Sequence, residues 1–144
     1  MQLLAFDFGM KHIGVAVGQT LTQSATPLCT LKAIDGIPNW TEIDARIQDW
    51  CPTGIVIGIP LNMDDSEQLL THCARKFANR VHDRTHLPVY TVDERLSTWE
   101  AKNRLHIHVQ GTKTKKAKKQ IHDVNAMAAA ILLEQWLRDN PKKF

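Results

Sequence analysis

The chain has 144 residues, of which 43% are hydrophobic and 23% charged, and its formal net charge is +3. These values fit a single soluble domain spanning 1–144 and exclude a wholly disordered chain. No apolar run reaches the roughly 18 residues of a membrane span, and the N-terminus lacks a signal-peptide pattern. We therefore expect a cytoplasmic protein without membrane contact. The three cysteines form no C-x-x-C pair, which favours reduced thiols over a disulfide framework or zinc ribbon.

The first third of the chain predicts three strands and a helix. Apolar runs at residues 3–8, 12–18 and 27–32 are typical of strands. Only three residues separate the first two runs, which predicts an antiparallel hairpin. Apolar residues then recur at helical spacing from Trp40 to Trp50, behind Pro38, and Pro52 should end that helix.

The remainder of the chain alternates between strands and helices. Residues 54–59 are apolar on both faces, as in a central strand covered on each side, and residues 87–92 form the next strand. Helical spacing follows the first of these at 69–81, with Asp65 or Ser66 as N-cap, and an S-x-x-E capping box at 97–100 opens another helix. The last helix spans Ala126 to Leu137. This order predicts an α/β fold with a mixed sheet and helices on both faces.

Positive charge is concentrated in a loop that we expect at about residues 108–120. It holds five lysines within seven residues, so the rest of the chain has a net charge of −2. The lysines are Lys113, Lys115, Lys116, Lys118 and Lys119. Such a loop can bind the phosphate backbone of a nucleic acid, or it can be a solvated segment that only aids solubility. Gly111, Thr112 and Thr114 favour no stable secondary structure, so we expect flexibility before substrate binds.

Acidic residues end two predicted strands and precede the last helix. Asp7 ends the first strand, Asp93 and Glu94 end the last strand, and Asp123 precedes the final helix. Ligands of open α/β sheets gather at the carboxyl ends of strands. If these side chains converge, their oxygens can bind one or two Mg²⁺ or Mn²⁺ ions, which activate water against a phosphodiester. If they do not converge, each acidic side chain only accepts hydrogen bonds from the amides of its own turn or forms an ion pair at the surface.

The segment after the central strand could add binding groups to the same edge of the sheet. It contains Asn62, and a helix start near Ser66 would favour an anion. A plain connection between strand and helix explains the composition of this segment equally well.

Three motifs and the charged loop occur in a characteristic order along the chain. Asp7 opens a D-x-G-x-x-x-x-G-x-A motif, Gly58 opens G-x-P-x-x-M, and Asp93 opens D-E-R-L-[ST]-T. The lysine-rich loop then precedes an alanine-rich last helix. In this order the chain resembles the YqgF/RuvX family of ribonuclease H-like nucleases, and the match runs almost end to end.

The resemblance implies a five-stranded ribonuclease H-like sheet and metal-dependent hydrolysis of phosphodiester bonds in structured nucleic acid. The implied substrate is precursor ribosomal RNA, and the implied step is processing of the 5′ end of pre-16S rRNA. Asp7, Glu94 and Asp123 would hold Mg²⁺ or Mn²⁺, while the five lysines, with Arg95 and Asn62, would contact the nucleic acid.

The third catalytic position is where the chain departs from the family pattern. Matching the D-x-x-A start of the family's last helix to residues 125–128 puts Asn125 where a carboxylate is usual. Asp123 lies two residues upstream, so within a helix the two side chains would point about 200° apart. An amide oxygen can bind Mg²⁺ but brings no charge. Either Asp123 turns in from a non-helical N-cap to complete the catalytic set, which is the interpretation we prefer from the sequence, or Asn125 occupies the third position and the site is weakened.

Three other functions remain as alternatives. An older label of the family is Holliday junction resolvase, so branched DNA is a second candidate substrate, and junction resolution requires a dimer with paired active sites. For this chain we expect a monomer or a weak homodimer. A nucleic-acid-binding module with a weakened catalytic site would fit Asn125. An actin-like phosphotransferase shares the Asp-x-Gly motif, but 144 residues leave no room for its second lobe.

Overall fold

The computed structural model describes residues 1–59, 68–93 and 124–140. Its strands are β1 (Gln2–Asp7), β2 (His12–Gln19), β3 (Ser24–Ile34), β4 (Ile37–Pro38), β5 (Gly54–Ile59) and β6 (Val89–Asp93). Its helices are α1 (Trp40–Trp50), α2 (Gln68–Thr85) and α3 (Val124–Asp139). The predicted N-cap at Asp65 or Ser66, the predicted helix from Ser97 and the basic loop lie outside the described residues.

The described strands form one mixed sheet with the order β4-β3-β2-β1-β5-β6. β1 and β2 make the predicted antiparallel hairpin, with Asp7 opposite Gly14. β5 runs parallel to β1, and β6 runs parallel to β5. The carboxyl ends of β1, β5 and β6 therefore meet at one end of the sheet, which we call the carboxyl edge. β3 also ends on this side because it is antiparallel to β2.

The sheet has six described strands rather than the expected five. The additional strand, β4, pairs antiparallel with the end of β3, so that Ile34 lies opposite Ile37. The turn between them is Asp35–Gly36, and both residues have positive φ, 52° and 80°. This backbone is the tight hairpin turn for which Asp-Gly is typical. The strand after the turn ends at Pro38 and is too short to show a period of two.

Helices α1 and α2 cover one face of the sheet around a buried aromatic cluster. Phe77 of α2 has its ring centroid 5.7 Å from that of Phe6, 5.4 Å from that of Phe8 and 5.8 Å from that of Trp40. Each such pair contributes about 0.5–1.5 kcal/mol beyond the burial of apolar area. Trp40 therefore packs on the core, as its helical spacing predicted.

Both ends of α1 are capped. The side chain of Asn39 accepts a hydrogen bond from the backbone N–H of Thr41 at 3.0 Å, which satisfies one amide that the helix leaves unpaired. At the other end Cys51 adopts the left-handed conformation, with φ 44°, and its N–H donates to the carbonyl of Ile47 at 2.9 Å. Pro52 follows at once and cannot continue the helix, as predicted.

Helix α3 covers the opposite face of the sheet. Its residues Ala129, Leu133 and Trp136 pack in one buried cluster with Ala5 of β1. The helix comes close to the strands, because a Cβ atom built on Gly18 would lie 2.6 Å from Cδ2 of Leu133. The predicted arrangement of helices on both faces of a mixed sheet is thus confirmed.

The described residues also bear on two expectations from composition. The three cysteines, Cys29, Cys51 and Cys73, all lie in the described residues and form no disulfide bond. Among the described helices, none is long and apolar enough to cross a membrane.

Candidate active site

Asp7 is the last residue of β1 and lies at the carboxyl edge. Its relative exposure is 6%, and it is the single buried residue with a polar or charged side chain in the described part of the chain. Leu3 and Ala5 of the same strand pack against α3, and alternation along the strand gives Asp7 that face as well. The carboxylate therefore lies on the α3 side of the sheet.

Gly14 brings the start of α3 next to Asp7. It lies directly opposite Asp7 in the β1–β2 hairpin. A Cβ atom built on Gly14 would overlap the backbone carbonyl of Asn125, so the first turn of the helix rests on the bare Cα of this glycine. Directly opposed residues in an antiparallel pair have Cα atoms about 4.5–5.5 Å apart. The start of α3 thus lies within roughly one side-chain length of the Asp7 backbone.

Asn125 belongs to the described first turn of α3, whereas Asp123 lies outside the described residues. Asn125 is half-buried and precedes Ala129 by four residues, so both lie on the same side of the helix. Ala129 is fully buried against the sheet. The structure therefore brings Asn125 to the same region as Asp7.

The last strand leads to the same edge. Gly58 of β5 lies opposite Asp7 on one side and opposite Val92 of β6 on the other. Neighbouring strands are about 4.8 Å apart, so the end of β6 lies roughly 10 Å from Asp7 across the sheet. Glu94 follows Asp93, the last residue of β6, and is itself outside the described residues.

The donors near Asp7 fit a hard divalent cation. Burial removes much of the hydration of a carboxylate, so its charge must be compensated by hydrogen-bond donors or by a cation. A carboxylate oxygen and an amide oxygen, as offered by Asp7 and Asn125, are ligand types that Mg²⁺ and Mn²⁺ accept. Within the described ranges no group of three His, Cys, Asp or Glu residues could hold a metal. A complete site would need the acidic groups of Glu94 or Asp123.

The other predicted nucleic-acid contacts lie outside the described residues. They are Asn62, Arg95, Lys113, Lys115, Lys116, Lys118 and Lys119. In the sequence, Gly14 is the second glycine of the D-x-G-x-x-x-x-G-x-A motif that Asp7 opens. The structure gives the reason for a glycine, which is the approach of a helix more than 100 residues away in the chain. In the sequence, the G-x-A part of the first motif was the available signal for this close approach of the helix.

A comparison with known families identifies the family. The model of the RuvX family, described as Holliday junction resolvase, matches residues 1–139. The chain belongs to the RuvX family. This result confirms the resemblance carried by the three motifs and places the chain in a family of nucleases.

Similar proteins cover nearly the whole chain. A protein of Shewanella oneidensis named "Putative pre-16S rRNA nuclease" is 50% identical over 138 residues, which are 96% of this chain and 94% of that protein. A protein of Pseudomonas fluorescens with the same name is 48% identical over 143 residues, or 99% and 95% of the two chains. The chain is thus of nearly the same length as these two relatives.

A solved structure shares the fold. Thermus thermophilus RuvC in complex with a Holliday junction substrate superposes with a TM-score of 0.56 over 97% of this chain and 95% of that one. The sequence identity is 19%, so the likeness shows a common fold. The expectation of a ribonuclease H-like architecture is confirmed.

Proposed function

We propose that this RuvX-family chain is a metal-dependent nuclease that hydrolyses phosphodiester bonds at the 5′ end of pre-16S ribosomal RNA. The observation that carries the proposal is the buried carboxylate of Asp7 at the carboxyl edge, under the first turn of α3. The names and close identity of the relatives support precursor rRNA as substrate. A role on this RNA also supports the cytoplasm as its location.

Asp7 and Glu94 are the two carboxylates that we assign to a Mg²⁺ or Mn²⁺ ion. Tyr90 and Val92 of β6 pack with the cluster beneath α3. Alternation extended to Glu94 would give its side chain the same face of the sheet as Asp7. A bound divalent cation supplies two things to such a reaction, activation of the attacking water and neutralisation of charge on the scissile phosphate.

We assign the third position to Asn125 rather than Asp123. The support is the contact of the Asn125 backbone with Gly14, the residue paired with Asp7. Its amide oxygen would orient the site without adding charge, so this chain would bind its metal more weakly than a site with three carboxylates. Asp123 is the alternative ligand for this position and lies outside the described residues.

The basic groups would hold the RNA while one phosphate reaches Asp7. The five lysines at 113–119 supply charge for the phosphate backbone, and Arg95 and Asn62 follow strands that end at the carboxyl edge. Contacts of this kind are independent of sequence and weaken as salt rises. We keep the monomer or weak homodimer as a prediction for the isolated protein.

The test is cleavage of a pre-16S rRNA fragment with Mg²⁺ or Mn²⁺ by the wild type and Asp7→Asn. The substitution keeps the shape of the side chain and removes its charge, and we expect the rate to fall about 100-fold or more. Asp83→Asn, an exposed acidic residue on α2, is the matched control and should cleave like the wild type. Equal rates for Asp7→Asn and the wild type would remove Asp7 from the mechanism.

A second candidate is resolution of Holliday junctions in DNA. It is favoured by the description of the family model, and the shared fold with RuvC is compatible with it. Both candidates use the same carboxylates, so the substrate separates them. Cleavage of a four-way DNA junction at a rate above that of the RNA, by a dimeric protein, would favour the resolvase.

A further inference from the structure

A small cleft opens beside α2 at the carboxyl edge. It has a volume of about 110 Å³ and lies between the β3–β4 turn and the helix. Its floor is formed by Gly36, Cys73 and Phe77, and its rim carries the charged side chains of Asp35, Lys76 and Arg80. We call it the α2 cleft. None of these residues belongs to the motifs that identify the family.

The α2 cleft lies next to the residues that follow Asp7. The backbone N–H of Gly36 donates to the carbonyl of Met10 at 2.9 Å, and a Cβ atom on Gly36 would lie 2.9 Å from Cζ of Phe8. The turn that forms one wall of the cleft therefore packs on the loop immediately after Asp7. The cleft opens on the side of α1 and α2, whereas the Asp7 carboxylate faces α3.

Two cations on the rim have no partner of opposite charge in the described part of the chain. Lys76 and Arg80 are one helical turn apart on the same side of α2, and both are exposed. Arg84, one turn further on, is instead fixed by an ion pair with Asp44 at 2.6 Å. With Asp35, the rim has a net charge of +1. The ion pairs of the described residues give Lys76 and Arg80 no structural role.

The chemistry of the cleft suits a phosphate rather than a base. One face of the Trp40 ring is stacked on Phe77 at 5.8 Å, and the Arg84 guanidinium lies 5.0 Å from the Trp40 centroid. The ring is therefore occupied and offers no free platform for base stacking. The small volume and the two exposed cations match a single phosphate group.

We infer that the α2 cleft binds a backbone phosphate of the nucleic acid whose scissile bond lies at Asp7. The inference rests on the proposed nuclease function and adds to it a contact on the far side of the sheet from α3. The strand would pass over the carboxyl edge, with one phosphate at Asp7 and a flanking phosphate at Lys76 and Arg80. The contact adds affinity without sequence preference.

The test measures RNA affinity as a function of salt in the Asp7→Asn background, so that the RNA stays intact. The test variant is Lys76→Gln/Arg80→Gln. The control, Arg75→Gln/Arg138→Gln, removes the same charge from two exposed positions, one outside the cleft on α2 and one in the last turn of α3. Loss of one phosphate contact should reduce the magnitude of the slope of log K against log salt by about 0.7–0.9 and lower the affinity at about 0.1 M salt about five-fold or more.

The control should keep the wild-type slope and nearly the wild-type affinity. An unchanged slope in the test variant, or an equal loss in both variants, would overturn the inference. Binding of inorganic phosphate that depends on Lys76 and Arg80 while RNA affinity does not would assign the cleft to a small anion and would also overturn it. RNA cleavage by the protein with Asp7 intact tests the proposed function separately. If that protein cleaves RNA but the Lys76→Gln/Arg80→Gln variant binds RNA normally, only this inference is contradicted.

Discussion

Gly14 determines how close α3 comes to Asp7. The atom that a larger residue would add at this position meets the backbone of Asn125, which cannot turn away as a side chain can. The distance between the helix and the carboxylate is therefore set by the absence of one Cβ atom. Gly14 thus lets the start of α3 lie beside the carboxylate that we propose as a metal ligand.

Gly14→Ala should destabilise the protein and lower its activity. The added methyl group pushes the first turn of α3 from the sheet, and we expect a loss of about 2–3 kcal/mol in the free energy of unfolding. Gly18→Ala is the comparison variant, since its Cβ would meet mainly the side chain of Leu133, with the Ser24 carbonyl oxygen at 3.1 Å, and it should cost about 1 kcal/mol. Urea unfolding of both variants measures the difference. Equal losses would show that the backbone contact at Gly14 has no special weight.

Asn125→Asp should strengthen metal binding if Asn125 is the third group of the site. The substitution adds a negative charge without changing the size of the side chain, and we expect the affinity for Mn²⁺ to rise about ten-fold or more. Asp123→Asn should then change the affinity much less. Isothermal titration calorimetry with Mn²⁺ measures the metal affinity of both variants independently of their activity. The opposite ranking would give the third position to Asp123.

The sequence predicted Asp7 but left the third position open. The position of Asp7 at the carboxyl edge could be predicted because it ends a clear apolar strand, and strand ends gather at one edge. The choice between Asp123 and Asn125 depends on the residue at which a helix begins, and sequence patterns define helix ends only within a few residues. The described helix begins at Val124.

At the level of elements, helix α1 ends at a residue whose type does not suit its backbone conformation. Cys51 is exposed and adopts the left-handed conformation, in which residues with a Cβ atom are strained by about 1–2 kcal/mol. The N–H of Cys51 still closes the last turn of the helix by donating to Ile47. A glycine would make the same hydrogen bond without the strain.

Cys51→Gly should therefore raise the stability of the protein. Glycine relieves the strain but makes the unfolded chain more flexible, so the net gain should be about 0.5–1 kcal/mol. Cys51→Ala keeps the Cβ atom and should give no gain. Thermal unfolding of the two variants compares them directly. A gain of the same size for alanine would mean that the thiol, not the backbone, is the source of strain.

The helices and the longer strands followed from hydrophobic periodicity, whereas β4 did not. Apolar side chains recur at helical spacing over three turns in residues 40–50 and 126–137, and a pattern of this length excludes a strand. β4 has two residues, and its existence depends on the turn at Asp35–Gly36 rather than on any repeat. Turn chemistry, not periodicity, was the signal for this element.

At the scale of the whole molecule, the site is built from segments that are far apart in the sequence. β1, β5 and β6 are parallel and end at the same edge, and α3 returns to this edge from the end of the chain. Periodicity and motif order predicted each segment, but they could not show how closely they approach. That information depends on packing between α3 and β2, which involves residues about 110 positions apart.

The most direct measurement is the position of Mn²⁺ in crystals of the wild-type protein, found by its anomalous scattering. Our account predicts an ion within about 2.5 Å of an Asp7 carboxylate oxygen, with an oxygen of Glu94 also in contact and a third group from the start of α3. An ion bound elsewhere, with Asp7 and Glu94 on opposite sides of the sheet, would contradict it.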